Sequence, residues 1–443
     1  MESTNESTGL LYRLGLHRPE LRAWALYDWA NSAFLCTIIT AVYPIYFAQV
    51  SASGLEPART TAIFAGATTV ALSVVAVLAP ILGALADSYA LRKKLLGAFL
   101  ALGVLATAGL AWTGPGDWQA GALLFILANI GASGSFVFYD SLLPHVARPE
   151  EVDRVSTAGY ALGYLGGGIL LAVNLLWIMK PDLFGFADAP TAMRWSFLSV
   201  ALWWGLFSIP LLRGVPEPPG DPSITGNPVL VSFRRLGSTF RELKQYKQAF
   251  LLLLGFLIYN DGIGTIIRMT SVYGSEIGLE SSTMVSAILM VQFLGIPFTF
   301  AFGALAGRIG PKNSIMITLA VYVVVAVLAY RMTSAREFYT LAILVAVAQG
   351  GCQALSRSLF ASLVPPEKTS EFFGFFAVAE KFSGVAGTGI FAVLVALTGS
   401  GRAAVLSIVV FFVVGGVFLA LVDVEQGRKN RIRATPLETS GHG

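Results

Sequence analysis

Apolar runs, each close to the roughly 20 residues that carry a helix across a bilayer core, follow one another along the whole chain with few charges inside them. Twelve such spans can be drawn, at about 24–48, 60–85, 94–113, 119–141, 156–179, 195–213, 249–273, 283–306, 313–331, 338–363, 371–397 and 402–422. They are too long and continuous for barrel strands, and backbone groups in lipid must be satisfied within each segment. The pattern therefore predicts an all-α membrane protein. Residues 1–22 are polar, and the first span is too long for a signal-peptide core and lacks a small-residue cleavage site, so it should be retained.

The pattern repeats. GALADSYALRKK at 83–94 returns, loosened, as GALAGRIGPKN at 303–313, each after a long apolar stretch and before the next one. One long connection, 214–248, separates six spans from six; it opens on Pro216, Pro218, Pro219 and Pro222 and turns basic at Arg234, Arg235, Arg241, Lys244 and Lys247. The expected organisation is an N-terminal segment 1–23, a six-helix bundle 24–213, the linker 214–248 with an amphipathic surface helix over 229–248, a second bundle 249–422 and a disordered tail 423–443.

Composition agrees. Of 443 residues 55% are hydrophobic and 13% charged, against about 25% charged in soluble domains. Leaving out Arg268, Arg357 and Lys381 inside spans, roughly 21 Lys and Arg fall on the side shared by the N-terminus and about 6 on the other, which places both termini in the cytoplasm. The formal charge of +4 lies in short loops beside membrane ends, as at Arg92, Lys93 and Lys94, and so points to lipid headgroups rather than nucleic acid. Cys36 and Cys352 lie inside spans, while His17, His145 and His442 lie outside them, so neither disulfide, metal site nor histidine relay is indicated. No GxxxxGKS phosphate loop and no nucleophile with its base stands out: an enzyme is not expected, nor a cofactor.

Polar residues inside the spans recur at every third one. The first carries Tyr27, Asp28, Asn31 and Ser32; the fourth Asn129, Ser133, Ser135, Tyr139 and Asp140; the seventh Tyr259, Asn260, Asp261 and Arg268; the tenth Gln349, Gln353, Ser356 and Arg357. Ionisable groups are costly in hydrocarbon, so these four should line a central, water-filled cavity, with the apolar third, sixth, ninth and twelfth spans facing lipid. Gly159, Gly163 and Gly167, four apart in the fifth span, mark a close helix contact.

Candidate chemistry follows from depth and spacing. Gln349, Gln353 and Arg357 form one polar stripe, beside a Gly350–Gly351 pair that permits bending. The amides both donate and accept, and the arginine can grip a carboxylate; the competing reading is an interhelical ion pair, Arg357 with Asp140. Asp261 and Arg268 share a helix face about 10 Å apart, room for a zwitterion between them. Glu380 and Lys381 stand about 15 Å into the eleventh span, where a buried carboxylate can exchange protons, or where each joins a structural salt bridge. Asp28 is a proton or cation site, or an interfacial gate contact. The expected solute-binding set is Asn31, Tyr139, Asn260, Asp261, Arg268, Gln349, Gln353 and Arg357; the ion-coupling set Asp28, Asp261, Glu380 and Lys381; the gate Gly83, Asp87, Arg92, Lys93 and Asp140.

Two six-helix halves, polar helices at every third position and GALAD before a basic loop resemble the major facilitator superfamily; Gly83, Asp87 and Arg92 or Lys93 match its loop signature, while Ser88, Ala90 and Leu91 depart from its basic and glycine positions. RAWALYDWANSAF at 22–34, DRVSTAGYALGYLGGG at 153–168, YNDGIGTI at 259–266, QGGCQALSRSLFASLVP at 349–365 and EFFGFFAVAEKFSG at 371–384 resemble the permease family that includes the fungal autophagy-related vacuolar amino-acid effluxers and many bacterial proteins. The resemblance implies a monomeric secondary transporter in a bacterial inner membrane, moving an amino acid or similar zwitterion by alternating access, coupled to protons or sodium. Phe372, Phe373, Phe375 and Phe376 favour a competing reading, efflux of larger amphipathic compounds; a membrane sensor or scaffold that moves nothing is a third.

Overall fold

A computed structural model of the chain describes residues 9–55, 57–220, 246–276, 279, 281–382, 385–398 and 401–434. Among them there is helix and no strand. The main helices are α1 Pro19–Phe34, α2 Pro57–Tyr89, α3 Arg92–Gly109, α4 Trp118–Val146, α5 Val152–Met179, α6 Ala189–Gly214, α7 Lys247–Glu276, α8 Ser281–Ile309, α9 Pro311–Arg331, α10 Ala335–Leu363, α11 Thr369–Phe382, α12 Val385–Thr398, α13 Gly401–Ser407, α14 Val409–Ala420 and α15 Val424–Ala434.

Eleven stretches among the described residues are long and apolar enough to cross a membrane. Within the expected span 371–397 the described residues are helical on both sides of 383–384, as α11 and α12. The first span is longer than its hydropathy suggested, running Pro19–Ser51. Beyond Phe34 it widens: Val42 N–H bonds Thr37 O at 2.8 Å and Ala52 N–H bonds Phe47 O at 2.8 Å, each reaching back five residues instead of four. Pro44 has no N–H to return to the preceding turn, and a wider turn is one way a helix absorbs that loss.

Several ends are set by local chemistry. Asp188 accepts Thr191 N–H at 2.8 Å to start α6, Ser334 and Glu337 form a reciprocal capping box on α10, and Gly310 turns at φ +83° before Pro311 opens α9. Where a disordered tail was expected, α15 folds back: Asp423 N–H donates to Gln248 Oε1 at 2.8 Å, and a Cβ on Gly427 would lie 2.5 Å from Leu363 Cδ2. The basic linker residues Arg234, Arg235, Arg241 and Lys244, with most of the expected surface helix 229–248, lie outside the described residues, as does 435–443.

Helices α5 and α10 and helices α4 and α11 meet across the halves of the chain, and the most extensive contacts between them are two helix pairs, α2 with α11 and α5 with α8. Each pair is the image of the other under the exchange of halves that the GALAD echo announces. Within the first half, Gly159, Gly163 and Gly167 of α5 face Asp28 and Ser32 of α1 and Cys36 just beyond its end, so two ladders of period four interlock. The glycine stripe thus packs a helix of its own half.

The segment before α1 lies on the face of the bundle that also carries α15. Tyr12 stacks under the Arg154 guanidinium at 4.8 Å, and buried Glu151 receives Arg18 at 2.6 Å, His17 at 3.3 Å and Arg148 N–H at 3.0 Å. Burial alone would raise the Glu151 pKa, but the Arg148 N–H, the Arg18 guanidinium and His17 outweigh it and hold the carboxylate below its ordinary 4.5. A depressed carboxylate contributes stability above its unfolded pKa and loses it as pH falls through the folded one. Glu151→Gln should therefore cost about 1 kcal/mol near neutral pH, and the gap to the parent in thermal unfolding should close as pH falls below 4.5. A gap independent of pH would refute this account.

Candidate functional site

The site grows from one turn of α10. Arg357 lies two residues before Leu359 and six before the helix end at Leu363, so it reaches the terminus-bearing side of the bundle while remaining 2% exposed. Its guanidinium makes four hydrogen bonds: Nε to Ser156 Oγ at 2.9 Å, Nη2 to Ser156 O at 3.0 Å and to Asp28 Oδ2 at 3.0 Å, and Nη1 to Asp140 Oδ1 at 3.1 Å. Three rings surround it, Trp24 at 4.9 Å, Tyr139 at 5.6 Å and Tyr160 at 4.3 Å from its carbon. Every one of these partners belongs to the first half of the chain.

The first half is built to receive it. Trp24 Nε1 donates to Tyr139 O at 3.0 Å and the two rings stack at 4.4 Å, which fixes α1 against α4. Tyr139 donates its hydroxyl to Asp28 Oδ2 at 2.9 Å, so one carboxylate oxygen accepts both the phenol and the arginine. Gly159 faces this oxygen; a Cβ there would collide with Asp28 Oδ2 and stand 3.1 Å from Arg357 Nη2. Charge-assisted bonds in a low-dielectric site are strong, and a buried pair with one partner removed is costly. Glu380 on α11 acts electrostatically on Asp140 and on Tyr160, two of the groups around the arginine.

Further contacts close the same face. Ser358 Oγ donates to Asp153 Oδ1 at 2.5 Å, Ser156 Oγ to Ala354 O at 2.8 Å, and His145 Nε2 lies 3.1 Å from Thr369 Oγ1. Farther from that face, Gln292 Nε2 of α8 reaches Cys36 Sγ of α1 at 2.7 Å.

One and two turns above Arg357, Gln353 and Gln349 are half-buried, and neither amide has a hydrogen-bond partner among the described residues. Tyr160, also half-buried, lies over the guanidinium itself. The Gly350–Gly351 pair serves packing here: α10 runs unbroken through it, Thr299 and Tyr164 fill the place of one side chain, and a Cβ on Gly351 would be 2.6 Å from Phe302.

The other expected residues fall elsewhere. Asn31 is fully buried inside the first bundle, its Nδ2 3.5 Å from Tyr27 OH, which donates to Ser135 Oγ at 2.6 Å; it faces no open space. Asp261 accepts the N–H of Gly387 at 2.5 Å and so ties α7 to α12. Asn260 is buried one residue before it. The side chains of Arg268 and Lys381 lie outside the described residues.

Asp87 and Arg92 pair at 2.7 Å, both buried, and the N–H groups of Arg92 and Lys93 donate to Glu217 at 2.9 and 2.8 Å. These contacts lie within the first half, and Gly83 is buried on α2. Ala90 adopts φ +51°, a left-handed turn at the position where the loop signature has glycine. Phe372, Phe373 and Phe376 are buried: Phe376 stacks on Phe256 at 4.2 Å, Phe373 meets Phe360 at 5.3 Å and Phe372 meets Tyr246 at 5.4 Å, while Phe375 is half-buried. They form the core of the second bundle, not the wall of a cavity.

Ser156, Trp24 and Tyr160 were not foreseen as partners of Arg357, nor Glu217 as the anchor of the basic loop. Gln292 had a legible signal, a lone amide in an otherwise apolar span.

The sequence matches the family described as "Vacuole effluxer Atg22 like" over residues 53–432. The chain belongs to this Atg22-like family. It is 38% identical over 408 residues to the uncharacterized MFS-type transporter YxiO of Bacillus subtilis, covering 91% of this chain and 94% of that one. Autophagy-related protein 22 of Yarrowia lipolytica is 28% identical over 307 residues, 62% of this chain and 51% of that protein. Among solved structures, the human organic anion transporter MFSD10 aligns with a TM-score of 0.70 at 16% identity over 91% of this chain and 99% of that one. A bacterial homologue of the iron transporter ferroportin, in its outward-facing state, gives 0.66 at 15% over 91% and 98%. The Atg22-like chain is thus a multi-pass membrane transporter with the major facilitator fold, and neither family nor fold is that of an enzyme.

Proposed function

We propose that this Atg22-like protein is a secondary active transporter of a small zwitterion, an amino acid in the first place. It rocks its two bundles, 24–213 and 249–422, about a site between them. The observation that carries the reading is the α10 stripe. Two unpartnered amides, Gln349 and Gln353, stand above a caged arginine, so neutral hydrogen-bonding groups and a carboxylate-binding charge are presented in one line. Both amides are half-buried and not sealed in, so a solute can take up their donors and acceptors in place of water. The family's description as effluxers supports the transport direction outward from a compartment.

In this reading the terminus-bearing face is cytoplasmic, as the distribution of Lys and Arg requires, and the membrane is the bacterial inner membrane. The Arg357 cluster, with Asp28 and Asp140, is the cytoplasmic gate in its closed state; Asp87, Arg92 and Lys93 brace the loop beside it. Two carboxylates on one guanidinium, Asp28 and Asp140, with Glu380 acting on Asp140, make the cluster the place where a coupled proton is carried. The amphipathic-compound reading loses its main support with the burial of Phe372, Phe373 and Phe376.

Flux of a radiolabelled amino-acid pool into proteoliposomes tests the reading. Gln353→Ala should lower it by about tenfold, the equivalent of one good hydrogen bond, with unchanged thermal stability. Parental flux in Gln353→Ala would remove the stripe from the solute site.

A further inference from the structure

The partners of Arg357 are divided in a way that constrains how the gate opens. The arginine comes from α10 in the second half; its four acceptors and its three rings come from α1, α4 and α5 in the first. Parting the halves on this face therefore strips the guanidinium of every one of these contacts at once. It also leaves Asp28 with only the Tyr139 hydroxyl of the two donors now on its Oδ2, and takes from Asp140 the guanidinium that binds its Oδ1. Separating a buried charge from its counter-charges is among the costliest events in a low-dielectric interior, unless a replacement arrives as the old partner leaves.

Such a replacement has a route. Gln353 lies four residues, about 6 Å along α10, above Arg357 on the same stripe and is half-buried, as is Tyr160, whose ring is 4.3 Å from the guanidinium. A solute held by the amides carries its carboxylate to within reach of Nη2, the nitrogen now bonded to Asp28 Oδ2 at 3.0 Å. Gly159 leaves no room for the Asp28 carboxylate to retreat toward α5, so exchange and not sharing is the outcome.

We propose that the gate is released by its cargo: a small carboxylate, entering from the level of Gln353, takes the place of Asp28 on Arg357 and lets the second half carry the arginine away with its charge still paired. This rests on the reading of the Gln349–Gln353 level as the solute site. It adds that the empty carrier stays closed on this face, so that net opening requires a bound carboxylate, and that solutes with the same side chain and amine but no carboxylate do not open it. The groups that face the lock are Asp28, Tyr139 and Asp140 from α1 and α4, Tyr160 from α5 and Glu380 from α11.

Spin labels at Glu150→Cys, in the loop before α5, and Arg308→Cys, at the end of α8, sit on exposed positions of the two halves on this face. Their distance distribution, read by pulsed electron resonance in nanodiscs, reports opening directly. An equimolar pool of the twenty amino acids should raise the long-distance population by about tenfold, whereas a pool of the corresponding amino-acid amides should leave it unchanged. Opening that is equal with the amides, or already complete without any solute, would overturn the proposal. Asp28→Asn with Asp140→Asn should open the face without solute; if that pair does not fold, Gly159→Ala, which displaces the Asp28 carboxylate, should do the same. A folded Gly159→Ala that stays closed also counts against the lock. Flux is measured separately: carboxylate-dependent opening without flux would fault the transport reading and leave the lock standing, while flux without carboxylate-dependent opening would fault the lock alone.

Discussion

Arg357→Ala should abolish amino-acid flux and destabilise the protein by about 3–5 kcal/mol, the cost typical of removing one partner from a buried charge pair. The size follows from the arginine's surroundings. Asp28 and Asp140 are 4% and 7% exposed, and each is bonded to the guanidinium, so truncation leaves two buried carboxylates without that counter-charge. Arg357→Lys keeps the charge but cannot donate along four directions from one plane, and should recover part of the stability and little of the flux. Adding Asp28→Asn and Asp140→Asn to Arg357→Met removes the unpaired charges together. This triple variant should regain stability and remain inactive. Thermal unfolding in detergent and flux in proteoliposomes separate the two effects; an Arg357→Ala protein with parental values in both would refute the assignment.

Gly131→Ala should be the most damaging single methyl in the first bundle, at about 3 kcal/mol, the upper part of the range for overpacking. A Cβ on Gly131 would collide with the backbone Cα and N of Gly103 on α3 and lie 2.7 Å from the Phe99 carbonyl oxygen. Backbone cannot change rotamer to make room, so α3 and α4 would have to separate. In a bilayer that separation is not opposed by a hydrophobic term, and association rests on the close packing that the methyl destroys. The same change at Gly307 provides the contrast: nothing lies within 4 Å of a Cβ there, so Gly307→Ala should be neutral or stabilising, because alanine is the better helix former by about 1 kcal/mol. Melting temperatures of the two variants decide the matter. Equal values would show that the contact between Gly103 and Gly131 carries little.

Much of the site was legible because ionisable groups inside apolar spans are rare and costly. Asp28, Tyr139, Asp140 and Arg357 stood out on that ground alone, and the structure brings all four within one cluster. Ser156 and Tyr160 did not, since a serine or tyrosine in a membrane helix has many ordinary uses. Asn31 stood out as a neutral amide three residues from Asp28 in an apolar span, yet it faces the interior of its own bundle, toward Tyr27. Asp261 was read as a cavity wall and instead accepts the Gly387 N–H of α12, a partner 126 positions away that nothing in its own helix announces.

The sequence by itself determined that the chain crosses a membrane many times as helices, that its two halves are copies, and that the deep charges gather in helices one, four, seven, ten and eleven. These follow from local rules: span length, the cost of a bare peptide group in lipid, and the cost of a bare charge. Only the tertiary structure decided which charge answers which. Asp28 and Arg357 are 329 positions apart, and their meeting depends on how α1, α5 and α10 approach, a matter of glycines and ring stacking summed over the bundle. A pairing at that separation has no local signature, because the energy that selects it belongs to the packed assembly and not to either helix.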